Sequence, residues 1–319
     1  MKRRTTYLFA SEKDPKVRRI LEHNMPAVKQ VFNDVRGRDV KSLQSATIYI
    51  NGSPCTDFSP AGNRQGASTN DGQLLLEAVD YIQTCRPEAF ILENSADITN
   101  RKHLPFFIEV LEFLESDGIY TIVIHKCNTL GFLPQNRPRT YVIGWQKKKQ
   151  VQPFPDKIPV ATLKTLDDIL GPHTKELLSL SNPLMLRGGL RSERLCRGLL
   201  KIIDHDGEDP LEGDYFMDIE ASPSRFGVTK EHCICLTQAR CKRKSVFSTR
   251  LGRCLDTREM MLLQGFPEES MTCPHGVAER VFTGCIGNAM SVPVLGSCVR
   301  LVLISLGYIA KNSPNPWGK

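Results

Sequence analysis

With 319 residues the chain can bury a sizeable core, and one large domain with a smaller companion is the expected organisation. The formal net charge of +7 suits a polyanionic partner better than an acidic one, in a composition otherwise ordinary for a globular protein. Its 11 cysteines, odd in number and irregularly spaced, exclude a disulfide-stapled scaffold and point to a reducing, intracellular compartment. No membrane role is expected, because the apolar runs after Arg4 and from Val299 to Ala310 are too short for a leader or a span.

Thr5 to Ala10 reads as a strand ending at Ser11-Glu12. Pro15 to Asn24 reads as a helix, with Pro15 in its first turn and Val17, Ile20 and Leu21 on an apolar face. Gln30 to Phe32 is a short strand ending at Asn33-Asp34. This is half of a nucleotide-binding α/β unit, in which an acidic residue at a strand end accepts hydrogen bonds from ribose hydroxyls. Glu12 suits that role; a solvated charge opening the helix is the alternative on spacing alone.

Ala46 to Asn51 is an apolar, β-branched run that reads as a buried strand, and Gln73 to Cys85 follows as a helix with Leu74, Leu75, Ala78, Val79 and Ile82 on one face. Between them lies Ser53-Pro54-Cys55-Thr56-Asp57-Phe58-Ser59-Pro60-Ala61-Gly62. Cys55 therefore follows the carboxyl end of a strand, where open α/β sheets bind ligands. Pro54 fixes the backbone beside the thiol, and Gly52 and Gly62 allow tight turns. A thiol held this way is a candidate nucleophile, the other reading being a small buried apolar residue.

Ala89 to Leu92 is a strand running into Glu93-Asn94-Ser95, Leu104 to Leu114 a helix, and Tyr120 to Ile124 a strand. Gly131 to Arg139 leads into the strand Thr140 to Gly144. The alternation argues a mostly parallel sheet. After Trp145 the texture changes: Lys147 to Lys149 and Val151 to Pro159 read as a linker, and the pattern stays irregular to about Cys254. Arg240 to Arg253 holds six cations and no acidic residue, which reads as phosphate contact or as a solvated loop. His232, Cys233, Cys235 and Cys241 cluster, but Cys-x-Cys is not a standard zinc spacing, so no metal is assigned. Asp256 to Glu259 starts a helix that stops near Gly265-Phe266-Pro267, and Gly287-Asn288-Ala289 precedes a final helix or strand, Val292 to Ile309.

Five blocks stand in one order: Pro54-Cys55-x-x-Phe58-Ser59, Glu93-Asn94-Ser95, Gln135-x-Arg137-x-Arg139, Arg258-Glu259 to Gln264-Gly265-Phe266-Pro267, and Gly287-Asn288-Ala289. In these the chain resembles the cytosine-5 DNA methyltransferases. The resemblance implies a Rossmann-like α/β methyltransferase fold, with residues 1–145 and 255–319 catalytic and an inserted target-recognition domain at 146–254. It implies S-adenosyl-L-methionine as cofactor, double-stranded DNA as partner, and a base flipped out of the duplex. Cys55 matches the nucleophile that adds to cytosine carbon 6, and Glu93 the acid at ring nitrogen 3. Arg139, with Arg137, matches the group that binds the base carbonyl. For the cofactor, the resemblance places Glu12 on the ribose and Asp34 near the adenine amino group, with Pro54 and Asn288 along the pocket.

Thr56 stands where the family usually has Gln, and Ser95 where it has Val. The family also opens with a strand and a glycine-rich loop, roughly two dozen residues before the ribose ligand. Ahead of Glu12 there is no glycine. The chain is therefore expected to behave as a member without its first strand–helix unit. A sheet lacking that strand exposes unpaired edges and is poorly soluble, unless a missing N-terminal segment or a partner chain supplies it. Two alternatives accompany the DNA reading: a tRNA cytosine-5 methyltransferase of the same fold, and a non-catalytic remnant that binds DNA without cofactor. The location expected is intracellular, the nucleus in a eukaryote or the cytoplasm in a bacterium.

Overall fold

The computed structural model describes residues 5–52, 70–173 and 188–317. The chain divides into two compact units, residues 1–128, 138–159 and 294–319 forming one, and 129–137 with 160–293 the other.

The first unit opens with β1 (Ala10–Ser11), α1 (Pro15–Asn24) and β2 (Val31–Phe32). Asp14 starts α1 by accepting hydrogen bonds from the backbone amides of Lys16 and Val17, with Pro15 in the first turn where no amide is needed. β1 and β2 pair in parallel, Ala10 opposite Val31 and Ser11 opposite Phe32. The strand expected from Thr5 is shorter, with only an isolated Tyr7–Val28 bridge before it.

β3 (Ile48–Asn51), α2 (Asn70–Cys85), β4 (Ala89–Ser95), α3 (Leu104–Glu115), β5 (Tyr120–Asn128) and β6 (Pro138–Gln146) follow. They build a sheet in the order β3-β4-β6-β5. Every residue of β4 is buried, as its continuous apolar run requires of a strand covered on both faces. β3 pairs with it in parallel. The expected parallel sheet stops there: β6 runs antiparallel to both β4 and β5. The physical reason is the short link between β5 and β6, residues 129–137, which cannot hold the crossover that a parallel pair needs. Gly144 lies opposite Phe90, whose ring occupies the space where any Cβ would stand. On the helix side, Tyr81 and Ile82 of α2 and Phe107, Val110 and Leu114 of α3 pack with Phe90 and Tyr120.

The segment read as a linker is docked instead. Lys147–Lys149 forms a 3-10 turn, the amides of Val151 and Gln152 donate to the Ser305 carbonyl, and Phe154 stacks on Trp145 at 4.8 Å.

The second unit contains α4 (Leu166–Leu170), α5 (Leu190–Asp206), β7 (Tyr215–Asp218), β8 (Val228–Lys230), α6 (Gln238–Arg243), β9 (Val246–Ser248), β10 (Arg253–Cys254), α7 (Thr257–Gln264) and α8 (Glu279–Asn288). Its sheet, in the order β10-β9-β7-β8, is antiparallel throughout. α5 covers it, with Leu195, Leu199 and Ile202 against Tyr215, Met217 and Phe247. α7 begins on a capping box in which Asp256 and Glu259 bond each other's backbone amides. This unit is wider than the 146–254 span, since it takes in 129–137 and 255–293. α9 (Val292–Ser305) then leads the chain back into the first unit, so the final segment is helical.

Candidate active site

In the first unit, the carboxyl ends of the parallel strands carry the acidic residues singled out in the sequence. Glu12 follows β1 directly, and its amide donates to the Phe32 carbonyl at 3.0 Å. Its carboxylate accepts the Asp14 amide at 2.8 Å, and Arg18 Nη1 donates to its carbonyl at 3.0 Å. Asp34 lies two residues beyond β2. Its carboxylate accepts the Arg36 backbone amide at 3.0 Å and a two-pronged contact from the Arg36 guanidinium at 3.2 and 2.9 Å. That guanidinium holds Asp34 well below the ordinary carboxylate value of 3.8, at about 2. Two acceptor-only carboxylates thus close two adjacent parallel strands. This pair of acceptors fits a group that donates from a diol and an exocyclic amine, as a nucleoside cofactor does.

Asn51 ends β3 opposite Leu92 of β4, so the strand that leads toward Cys55 finishes beside Glu93. Glu93 is 8% exposed, and Arg139 Nε meets its Oε1 at 3.1 Å. Arg139 reaches it from β6, where it stands opposite Ser95. Between them on β4, Asn94 accepts the Ser95 amide at 2.8 Å and caps the strand end. Pro54 and Cys55 lie outside the described residues, and Asn288 is an exposed residue of the second unit, at the end of α8.

Arg137 has a different setting. It is 2% exposed, and its guanidinium donates to the carbonyls of Leu236 at 2.6 Å and Ala289 at 2.7 Å. Gln135, fully buried, donates to the Leu263 carbonyl at 2.8 Å and accepts the Leu236 amide at 3.1 Å. Gln264 donates in turn to the Ile286 carbonyl at 2.8 Å and lies 3.2 Å from Gln135. The third, fourth and fifth of the five sequence blocks are therefore stitched by one buried amide and guanidinium network, which sequence reading did not anticipate. The one available signal was Gln264 itself, an amide closing the apolar run Met260 to Leu263.

The basic run Arg240 to Arg253 is largely neutralised. Arg240 pairs with Asp218 at 3.0 Å, Arg243 with Glu220 at 3.5 Å, and Lys244 with Glu279 at 2.8 Å. Arg250 bonds Asp214 and Asp167, and Arg253 bonds Glu259 at 2.7 Å. A sequence count finds no acid inside that run, but the fold brings the acids from elsewhere. Cysteines of the described residues are mostly quiet: burial pushes Cys127 and Cys254 up to about 11 and Cys241 up to about 12, and holds Cys233 well above its ordinary value.

The family description of the C-5 cytosine-specific DNA methylases matches residues 1–302. The chain belongs to that family. As a C-5 cytosine methylase it is a methyl-transferring enzyme. It is 29% identical over 292 residues to the type II methyltransferase M.NgoBI of Neisseria gonorrhoeae, covering 91% of this chain and 84% of that protein. It is 26% identical over 312 residues to M.HpaII of Haemophilus parainfluenzae, covering 95% of this methylase and 84% of that one. Among solved structures, the Entamoeba histolytica methyltransferase EhMeth superposes with a TM-score of 0.60 at 14% identity, over 95% of this chain and 90% of that one. The Dnmt2 methyltransferase of S. pombe gives 0.52 at 14% identity, over 93% and 90%. These two likenesses establish the methyltransferase fold. No single helix among the described residues is long and apolar enough to cross a membrane.

Proposed function

We propose that this methylase transfers a methyl group from S-adenosyl-L-methionine to carbon 5 of cytosine in double-stranded DNA, with Cys55 as nucleophile and Glu93 as acid. The observation that carries the reading is the Glu93–Arg139 pair at the end of β4, beside the end of the strand that leads to Cys55. Carbon 5 of cytosine is a poor nucleophile until a thiolate adds to carbon 6. As that sulfur–carbon bond forms, the displaced electron pair moves toward nitrogen 3, where Glu93 shares a proton with the ring. Arg139 orients Glu93 and binds the base carbonyl. When bound, the cofactor supplies an electrophilic methyl group. Loss of the carbon-5 proton then expels the thiolate. The base must leave the duplex to reach such a site.

Glu12 and Asp34 hold the ribose and the adenine amine, with Pro54 and Asn288 alongside. Arg137 supports the second unit through its carbonyl contacts, and Arg139 is the arginine assigned to the base. Target recognition falls to residues 146–254. There, Arg194, Arg197 and Lys201 on the outer side of α5 lie within about 60° of arc at helical spacing, and none has an ion pair among the described residues. They are the cations best placed for phosphate contact. The enzyme works inside the cell, in the nucleus or the cytoplasm according to its host.

The test is to incubate the chain with methyl-labelled S-adenosylmethionine and either duplex DNA or tRNA, then digest and identify the labelled nucleoside. Label in 5-methyldeoxycytidine from DNA is expected. Label confined to tRNA, or DNA binding without transfer, would overturn the reading.

A further inference from the structure

The second unit holds a cavity that the methyl-transfer reading does not use. Its volume is about 320 Å³, within the range of small-molecule sites, and every residue lining it belongs to that unit. Three segments are tied together around it. The Leu163 amide donates to the Phe132 carbonyl at 2.8 Å, and the Cys233 amide donates to the Pro134 carbonyl at 2.8 Å. Leu130, Leu133 and Pro134 give the cavity an aliphatic wall, and no aromatic ring lines it.

The charged side chains of the cavity fall into two sets. Arg250 is engaged: Nε and Nη2 fork onto the Asp214 carboxylate at 2.7 and 2.9 Å, and Nη1 donates to Asp167 at 2.5 Å. His173 Nε2 stands a further 3.1 Å from Asp214. Lys164 and Glu231 are not engaged. Both line the cavity, they do not pair with each other, and neither has an ion pair among the described residues. Glu231 is also held at a φ of +63°, with its amide donating to the Asp214 carbonyl at 2.7 Å. Glycine adopts that backbone conformation without strain, yet the sequence keeps a carboxylate there.

We propose that this cavity binds a free α-amino acid with an aliphatic side chain. Glu231 holds its ammonium, Lys164 its carboxylate, and Leu130, Leu133 and Pro134 its side chain. A cation and an anion set apart beside an apolar wall are the complement of a zwitterion with an apolar tail. Arg250 is committed to Asp214 and Asp167, which leaves the ligand's carboxylate to Lys164. A nucleobase could use the same two charges, but it would find no ring on which to stack. The site uses none of Cys55, Glu93 and Arg139, so the proposal stands or falls apart from the methyl-transfer reading.

The probe is L-leucine, titrated into the full chain by calorimetry beside L-leucinamide, N-acetyl-L-leucine and guanosine. Leucine is expected to bind at sub-millimolar concentration. Leucinamide, which lacks the carboxylate, and N-acetyl-leucine, which lacks the ammonium, should each bind about tenfold more weakly or worse. Lys164→Met should erase the preference for leucine over leucinamide, and Glu231→Gly the preference over N-acetyl-leucine. Glu231→Gly should melt no lower than the parent, because glycine accepts the positive φ, so its loss of binding is not a loss of fold. No binding of leucine, equal binding of the blocked forms, a preference that survives in either variant, or tighter binding of guanosine than of leucine would each overturn the proposal.

Discussion

Arg137 and Arg139 are two residues apart, share one sequence block, and should fail in opposite ways when each is changed to lysine. The Arg137 guanidinium donates to two carbonyls, Leu236 and Ala289, from a site only 2% exposed. A lysine ammonium is a compact point charge and can reach only one of them. The other carbonyl loses a charged donor, which costs about 1.5–3 kcal/mol. For a unit of this size the urea midpoint should fall by roughly 1 M, at a slope near 2 kcal/mol/M. Both tryptophans, Trp145 and Trp317, belong to the first unit. Far-UV circular dichroism should therefore show an earlier transition in Arg137→Lys, while tryptophan fluorescence holds its midpoint. Arg139→Lys keeps a charge beside Glu93 but loses the planar fork, so methyl transfer should fall about 100-fold with little change in stability. An Arg137→Lys protein of unchanged stability and abolished activity would refute the division of labour between the two arginines.

Gly287→Ala should destabilise the second unit by about 2 kcal/mol or more, through overpacking, because a Cβ there collides with the Thr237 carbonyl at the α6–α8 contact. A wild-type urea midpoint would show that the two helices can part freely. In the folded protein at neutral pH, iodoacetamide should label Cys55 well before Cys127, Cys233, Cys241 or Cys254, whose thiols burial holds far above neutrality. Labelling of any of those four at the Cys55 rate would contradict this. Changing Arg194, Arg197 and Lys201 together to Gln should lower the slope of log affinity for DNA against log salt by roughly 3. An unchanged slope would remove α5 from the DNA surface.

Much of the fold could be read from local rules. The Asp14-Pro15 start of α1, the continuous apolar run of β4 and the Asp256–Glu259 box each act within a few residues, and each element formed where those signals lie. The acidic residues at strand ends were legible for the same reason. What local rules could not give was direction and partnership. β6 turns antiparallel because its link to β5 is short, a constraint of closure rather than of propensity. The cations of 240–253 look free in the sequence because their carboxylates come from Asp167, Asp214, Asp218, Glu220, Glu259 and Glu279. Arg137 and Arg139 look equivalent in one dimension, yet alternate positions and different neighbours send one into a carbonyl network and the other to Glu93. The polar blocks that identify the family are in part its internal scaffold: Gln135, Arg137 and Gln264 hold three of them together.

The central claim is a covalent bond from Cys55 to cytosine, and trapping tests it most directly. The chain is mixed with S-adenosylmethionine and duplex DNA containing 5-fluorocytosine, then denatured and run against a Cys55→Ala control. Fluorine at carbon 5 cannot leave as a proton does, so an enzyme that has added its thiol and moved the methyl group stays attached. The account predicts a denaturation-resistant protein–DNA adduct that is absent in Cys55→Ala. A folded chain that forms no adduct, or an adduct that survives the loss of Cys55, would contradict it.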